Sequence, residues 1–269
     1  MTRTVIAWLP RALVLGLLAF VIFGPLANLL VWTVAEKWFF PHALPTEWGF
    51  SYWTRVFSAN GVARESLANS LMVALLTVVL SLALSVPAGY ALARLPLPGR
   101  ALIMLAFLIP QAFPNLTVYV NIAQLFYQVG LNGTVAGVVI VHTLHALVLA
   151  IWIATAAFAA VPKEGEEAAR SMGADPLRAF FDVTLPQAMP GLMAAAIFVF
   201  LESLDEFTGS YFVGAPDVQL MPLMLFTAAA GGNYQIASIT AVVLLIPSIG
   251  FMLIVERFLK SDMLSRVGQ

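Results

Sequence analysis

The chain has 269 residues and a mass of 29.0 kDa, with 61% hydrophobic residues, a mean hydropathy of +0.93 and a net charge of −1. Only 10% of its residues are charged, against about 25% in a soluble domain. So little charge cannot clothe a water-facing surface. This excludes an ordinary soluble enzyme, a disordered chain and a nucleic-acid binder, and leaves an all-α polytopic membrane protein. There is no cysteine, hence no disulfide, no thiolate metal site and no cysteine nucleophile.

Six stretches are apolar enough to cross a bilayer, which takes about 20 residues each. The first is Ala12 to Ala35, free of charge. Its apolar run is longer than the roughly 7–15 residues of a signal-peptide core, so a retained helix is expected. A segment from Glu36 to Ser66 follows, with Trp38, Trp48, Tyr52 and Trp53 suited to the membrane interface. The second stretch is Leu67 to Ala93, ended by Arg94 and Pro96. The third runs from Ala101 to about Gln128, and Pro110 and Pro114 predict a kink in it. The fourth is about Thr134 to Ala160, the fifth about Met189 to Phe212, and the sixth about Ile236 to Val255. Leu220–Phe226 suggests a short outer helix, with Met221 and Met224 as adaptable packing.

Lys and Arg set the orientation. Six spans put both termini on one side, with Arg3, Arg11, Arg94, Arg100, Lys163, Arg170, Arg178, Arg257, Lys260 and Arg266. Lys37, Arg55 and Arg64 alone fall opposite, all in one loop. Both termini and the loop after span four are therefore expected in the cytoplasm, and 36–66 outside. The division is 1–66 for the first span and outward loop, 67–260 for the core, and 261–269 for a cytoplasmic tail.

The loop from Val161 to Gly191 holds eight of the 27 charged residues. It reads as two short helices. Pro162 can start the first, and Glu164, Glu166 and Glu167 suit its positive end. Gly173 can end it in a left-handed conformation. Asp175 caps the second, with Pro176 at its first position. Leu177, Phe180 and Phe181 give this helix an apolar face, and Pro186 and Pro190 mark the return to the membrane. Ala168, Ala169 and Gly173 would permit close approach by another protein. From the residues alone, a docking surface and an amphipathic connector are both open.

The spacing resembles the EAA loop of permease subunits in binding-protein-dependent ABC importers. That pattern is E-A-A-x3-G-x9-aliphatic-x-L-P. Here it is met by Glu167-Ala168-Ala169, Gly173, Val183 and Leu185-Pro186. Asn69-Ser70-Leu71 and Tyr90-Ala91-Leu92-Ala93-Arg94 are similar to the start and end of the second span in these proteins. The resemblance implies six spans with a cytoplasmic coupling helix between spans four and five, seated in a cleft of an ATPase subunit. It would give Glu167 a polar contact to that subunit, make Ala168 and Ala169 close-packing positions and Gly173 the turn, and have Leu185 and Pro186 close the motif. It also implies a pair of ATP-binding subunits, a second permease subunit from the same or a different chain, and a periplasmic or lipid-anchored solute-binding protein. The setting would be the cytoplasmic membrane of a bacterium or archaeon.

This chain would be a transport subunit and not an enzyme. A P-loop needs Gly-Lys-Ser/Thr, and Lys37, Lys163 and Lys260 follow Glu36, Pro162 and Leu259. No cofactor is expected in this chain, and ATP and Mg would belong to the partner ATPase.

Acids inside a membrane are candidate functional groups. Glu202 and Glu206 are four apart in the fifth span and share a helix face, with Asp205 three from Glu202. At 1.5 Å per residue Glu202 lies ~20 Å beyond Met189, towards the outside. Interfacial acids or an internal hydrogen-bonded cluster is one reading, and a cation-attracting patch on the translocation path is the other. Gln111, Asn115 and Asn121 could line a path or satisfy backbone groups freed near Pro110 and Pro114. His142 and His145 are three apart, and no nearby carboxylate or third histidine appears in sequence. Packing or polar lining is expected of them rather than a metal.

The stretch from Asp205-Glu206 through Ser210, Phe212 and Gly214 is similar to polyamine-type permeases. That implies a cationic organic solute such as a polyamine. Iron-type permeases also carry Asp-Glu here, and sugar-type permeases resemble the second span, so a sugar, iron or another small solute is the alternative. From a different class, an ion-coupled secondary transporter would need ionisable groups on several spans and broken segments matched between two halves. Here the acids gather in one span. A membrane enzyme would need a catalytic constellation that three scattered histidines do not supply.

Overall fold

The computed structural model describes residues 2–58 and 62–267, with side chains described for residues 12–58 and 62–257. The side chains of Arg3, Arg11, Lys260 and Arg266, which entered the orientation argument, and those of the tail 261–269 lie outside the described residues.

The chain is helical almost throughout. In order come α1 (Thr2–Thr33), strands β1 (Ala35–Lys37) and β2 (Glu47–Trp48), α2 (Ser51–Val56), α3 (Ala63–Arg94), α4 (Arg100–Leu108) and α5 (Asn115–Val129). Then follow α6 (Val135–Ala160), α7 (Lys163–Ser171), α8 (Pro176–Ala179), α9 (Leu185–Asp205), α10 (Met221–Ala230) and α11 (Tyr234–Val267). Among the described residues, five helices are long and apolar enough to span a bilayer. The bent pair α4–α5 makes a sixth if it counts as one span.

Three expectations change. The third span is not merely kinked, because its halves meet at 91°. Phe113, before Pro114, is extended at φ −90°, ψ 147°, as the proline ring requires of the residue preceding it. The fifth span stops at Asp205 rather than Phe212, and a short wide turn, Ser210–Gly214, follows. The second loop helix, α8, does not end before the membrane. A wide helical turn over Phe180–Thr184 joins it to α9, making one helical stretch from Pro176 to Asp205.

The chain forms two compact units. One comprises Met1–Arg64 with Met224–Val243, the other Glu65–Leu223 with Leu244–Gln269. In the first unit, β1 and β2 pair antiparallel, Ala35 opposite Trp48. Trp32 stacks on Trp38 with centroids 4.3 Å apart, and Trp53 Nε1 donates to the Thr33 carbonyl at 2.8 Å. Glu36 accepts from the Ser51 backbone N–H at 2.7 Å and from its hydroxyl. These bonds hold Glu36 below the usual carboxylate range. No residue in the most apolar stretch of α1 is buried.

In the second unit, α6 is the central helix. Its residues enter three apolar clusters, with α3 and α5, with α3 and α9, and with α9 and the loop. That is why α6 reads as apolar on every side. Two glycines allow the close crossings. A Cβ on Gly89 would sit 2.7 Å from Ala154 Cβ, and one on Gly191 would collide with Ala157. Small residues at helix crossings are how membrane helices gain contact when burial from water is not available. Gly191→Val should separate α6 from α9 and cost about 1–3 kcal/mol by overpacking. A lowered melting temperature in detergent would record it, and an unchanged one would refute the crossing.

Candidate functional site

The first candidate region is where α9 breaks. Helix α9 ends at Asp205, and Glu206 takes non-helical angles, φ −71° and ψ 100°. Its carboxylate then caps the following turn, accepting from Gly209 N–H at 2.8 Å in the manner of a helix N-cap. Ser210 Oγ donates to the Glu206 carbonyl at 2.7 Å. Irregular backbone at membrane depth is tolerated only where protein or a cavity satisfies it, and Glu206, Gly209 and Ser210 are all buried. Gly209 is required, since a Cβ there would collide with Val141.

Around this break the helices bring polar groups together. Tyr119 of α5 donates its hydroxyl to Glu206 Oε2 at 3.0 Å. His145 of α6 places Nε2 3.2 Å from Glu202 Oε2 and 3.8 Å from Glu206 Oε2. One turn away, His142 bridges Ser203 Oγ at 2.8 Å and Ser210 Oγ at 2.9 Å through its two ring nitrogens. Glu206 therefore sits in an internal hydrogen-bonded cluster, with Glu202 beside it through His145. Sequence shows no carboxylate near His145, and the fold supplies two. Asp205 is exposed and takes no part. Among the described residues no group of three or more His, Cys, Asp or Glu side chains is placed to hold a metal.

Gln111 and Asn115 line a cavity of ≈ 260 Å³ with Pro110, Tyr119, Leu144 and His145. Gln111 Nε2 donates to the His145 carbonyl at 3.4 Å. Tyr119 and His145 thus face both the cavity and the acids. Asn121 instead bonds the Thr117 carbonyl of its own helix at 2.8 Å. Sequence spacing missed Tyr119 entirely, since its partner lies 87 residues on.

The second region is the loop after α6. Asp175 accepts from Arg178 N–H at 2.9 Å and caps α8. Gly173 turns at φ +94°, a conformation that side-chain-bearing residues rarely take. Glu167 and Ala168 are exposed and Ala169 is half-buried. Leu185 opens α9 half-buried, with Pro186 exposed beside it. Phe180 packs edge-on to Tyr90, 4.9 Å between centroids. Met172 and Leu177 are 83% and 70% exposed, apolar side chains left open on a polar loop. The acid before the motif, Glu166, is turned inward and is bonded by Tyr90 and Thr184. The stretch singled out at the start of span two is anchored as well. Asn69 donates to the Gln219 carbonyl at 3.1 Å, and Ser70 accepts from Met221 N–H at 2.8 Å.

A multi-pass helical chain with a broken span, a cavity that carries a few polar groups in an apolar wall, and a capped helical loop has the build of a membrane transport subunit. The chain belongs to the family described as binding-protein-dependent transport system inner membrane component, which matches residues 85–261. It is 31% identical over 219 residues, 80% of each chain, to the trehalose transport system permease protein SugB of Mycobacterium tuberculosis (strain CDC 1551 / Oshkosh). It is 29% identical over 239 residues, 86% of this chain and 63% of the relative, to the alpha-glucoside transport system permease protein AglG of Rhizobium meliloti (strain 1021). In fold it matches a chain of a bacterial ABC transporter involved in the import of the acidic polysaccharide alginate. That match has a TM-score of 0.71 at 21% identity, over 94% of this chain and 96% of the other.

The ABC importer permease reading is borne out, and the chain is a transport subunit of the inner membrane, not an enzyme. The polyamine-type resemblance finds no support among these relatives, and they favour the sugar alternative. Glu206 is bonded by Tyr119 and Gly209 and lies beside His145, as does Glu202.

Proposed function

We propose that the chain forms half of the solute path of an ATP-driven importer of a sugar or short oligosaccharide. The observation that carries this is the cavity beside the broken span, where Gln111, Asn115, Tyr119 and His145 supply hydrogen-bonding groups. Such groups suit hydroxyl-rich solutes, and the names of the relatives point the same way. The path would use Gln111, Asn115, Glu202 and Glu206, with Asp205 at its exposed edge.

The partners in this reading are two ATP-binding subunits carrying ATP and Mg, a second permease subunit, and a solute-binding protein that delivers the sugar. Both termini and the 161–191 loop would face the cytoplasm, and the division into 1–66, 67–260 and 261–269 goes with that topology. Glu167, Ala168, Ala169, Gly173, Leu185 and Pro186 would form the coupling surface. Met172 and Leu177 extend it, as exposed apolar groups rimmed by charge commonly mark protein contacts. ATP binding would draw the ATPases together, and the loop would pass that motion to the spans as a rigid-body shift.

The test is uptake into proteoliposomes holding the complete complex with its binding protein. ATP-dependent uptake of labelled α-linked disaccharides is expected, with none of labelled spermidine. Spermidine uptake without sugar uptake would overturn the solute class. Uptake driven by an ion gradient without ATP would overturn the importer reading.

A further inference from the structure

We propose that Glu166 is the positioning residue that pins the coupling loop to the spans. The inference rests on the coupling role proposed for that loop. Helix α7 has no buried residue, so apolar packing does not fix its place. Its one inward-facing charged side chain is Glu166, 15% exposed. Oε1 accepts from the Tyr90 hydroxyl at 2.7 Å. Oε2 accepts from Thr184 Oγ1 at 2.9 Å and lies 3.8 Å from Arg94 Nε. Thr184 is fully buried, and the Arg94 side chain is 7% exposed. Arg94 in turn donates through Nη2 to the Val161 carbonyl at 2.9 Å, just past the end of α6.

One carboxylate therefore ties together the cytoplasmic end of α3, the end of α6, α7 itself and the wide turn leading into α9. Tyr90 is itself set by edge-on contacts with Phe158 and Phe180, at 5.5 and 4.9 Å between centroids. A charge buried beside another is held firmly, because losing one partner strands the other away from water. The adjacent Glu167 is exposed. The two neighbouring acids thus divide the work. Glu167 is left for the partner, and Glu166 holds the helix that presents it. A push on α7 then reaches α3 and α9 directly rather than only through the turn at Gly173.

The chain has no cysteine, so spin labels can be placed at Ser171→Cys in α7 and Leu95→Cys beside the end of α3. In the intact complex, the wild-type pair should give one narrow distance distribution. Glu166→Ala should broaden it while the ATPase still co-purifies. Sugar transported per ATP hydrolysed should fall about tenfold. Removing both charges, with Glu166→Gln and Arg94→Gln together, should restore more coupling than Glu166→Gln alone. That rescue also serves if Glu166→Ala does not fold.

A distribution as narrow as wild type in Glu166→Ala, or in Glu166→Gln if the alanine variant does not fold, would overturn the proposal. So would loss of the ATPase from either variant, which would make Glu166 a docking contact instead. A broadened distribution with unchanged transport per ATP would leave Glu166 as the pin and would count against the loop as the coupling element. The failure of the pin and the failure of the coupling reading are thereby told apart.

Discussion

Glu206→Ala is expected to abolish the folded protein. The carboxylate satisfies the Tyr119 hydroxyl and the Gly209 N–H, and sits 3.8 Å from His145. Each buried polar group left without a partner costs about 1–3 kcal/mol. Two or three such losses form a large part of a total stability of about 5–15 kcal/mol. Glu206→Gln keeps an acceptor for Gly209 and should fold with a modestly lowered melting temperature. Monodisperse yield in mild detergent and a melting curve would measure both variants. If Glu206→Ala gave wild-type yield and melting temperature, the carboxylate would not be what holds the broken span.

Ala168→Trp is expected to stop transport without harming the fold. Ala168 is exposed on α7, so the larger ring has room in the isolated chain. Where an ATPase surface must close over this position, the ring overpacks the contact by about 1–3 kcal/mol. That weakens association roughly ten- to hundredfold, at 1.4 kcal/mol per factor of ten. Purification of the tagged variant should yield the permease with little ATPase, and uptake should fall in proportion. Full uptake with the tryptophan in place would remove Ala168 from the docking surface.

Local chemistry made the loop after α6 legible. Pro162, Gly173, Asp175 and Pro176 act within a few residues of themselves, and the helix starts, turn and cap fall where they predict. The five long spans were equally plain, because a run of apolar residues means the same thing in sequence and in lipid. The proline-broken third span was visible as a break, but its 91° angle was not. That angle depends on what the two halves pack against.

The acids show the limit most clearly. Spacing of four predicts that Glu202 and Glu206 share a helix face. Glu206 instead leaves the helix to cap the next turn, and that follows from Gly209, Tyr119 and Val141 meeting there. His145 shows no carboxylate neighbour in sequence and has one at 3.2 Å in space. In the loop, the motif directs attention to Glu167, and nothing in spacing reveals that Glu166 is the acid facing inward. Helix phase against distant spans decides that.

The uninterrupted helical stretch from Pro176 to Asp205 has a mechanical consequence. Its 30 residues, with the wide turn at Phe180–Thr184, reach up to ~45 Å at 1.5 Å per residue. One end lies in the loop after α6, and the other abuts Glu206. Pivoted at its middle, where Gly191 bears on Ala157 and Leu192 is buried, such a lever needs only a small tilt. About 5° moves each tip by ~2 Å, comparable to the 1–2 Å helix shifts by which bistable interfaces switch. Gearing of this kind needs no relay of side chains between the two ends, since one continuous helical stretch reaches both.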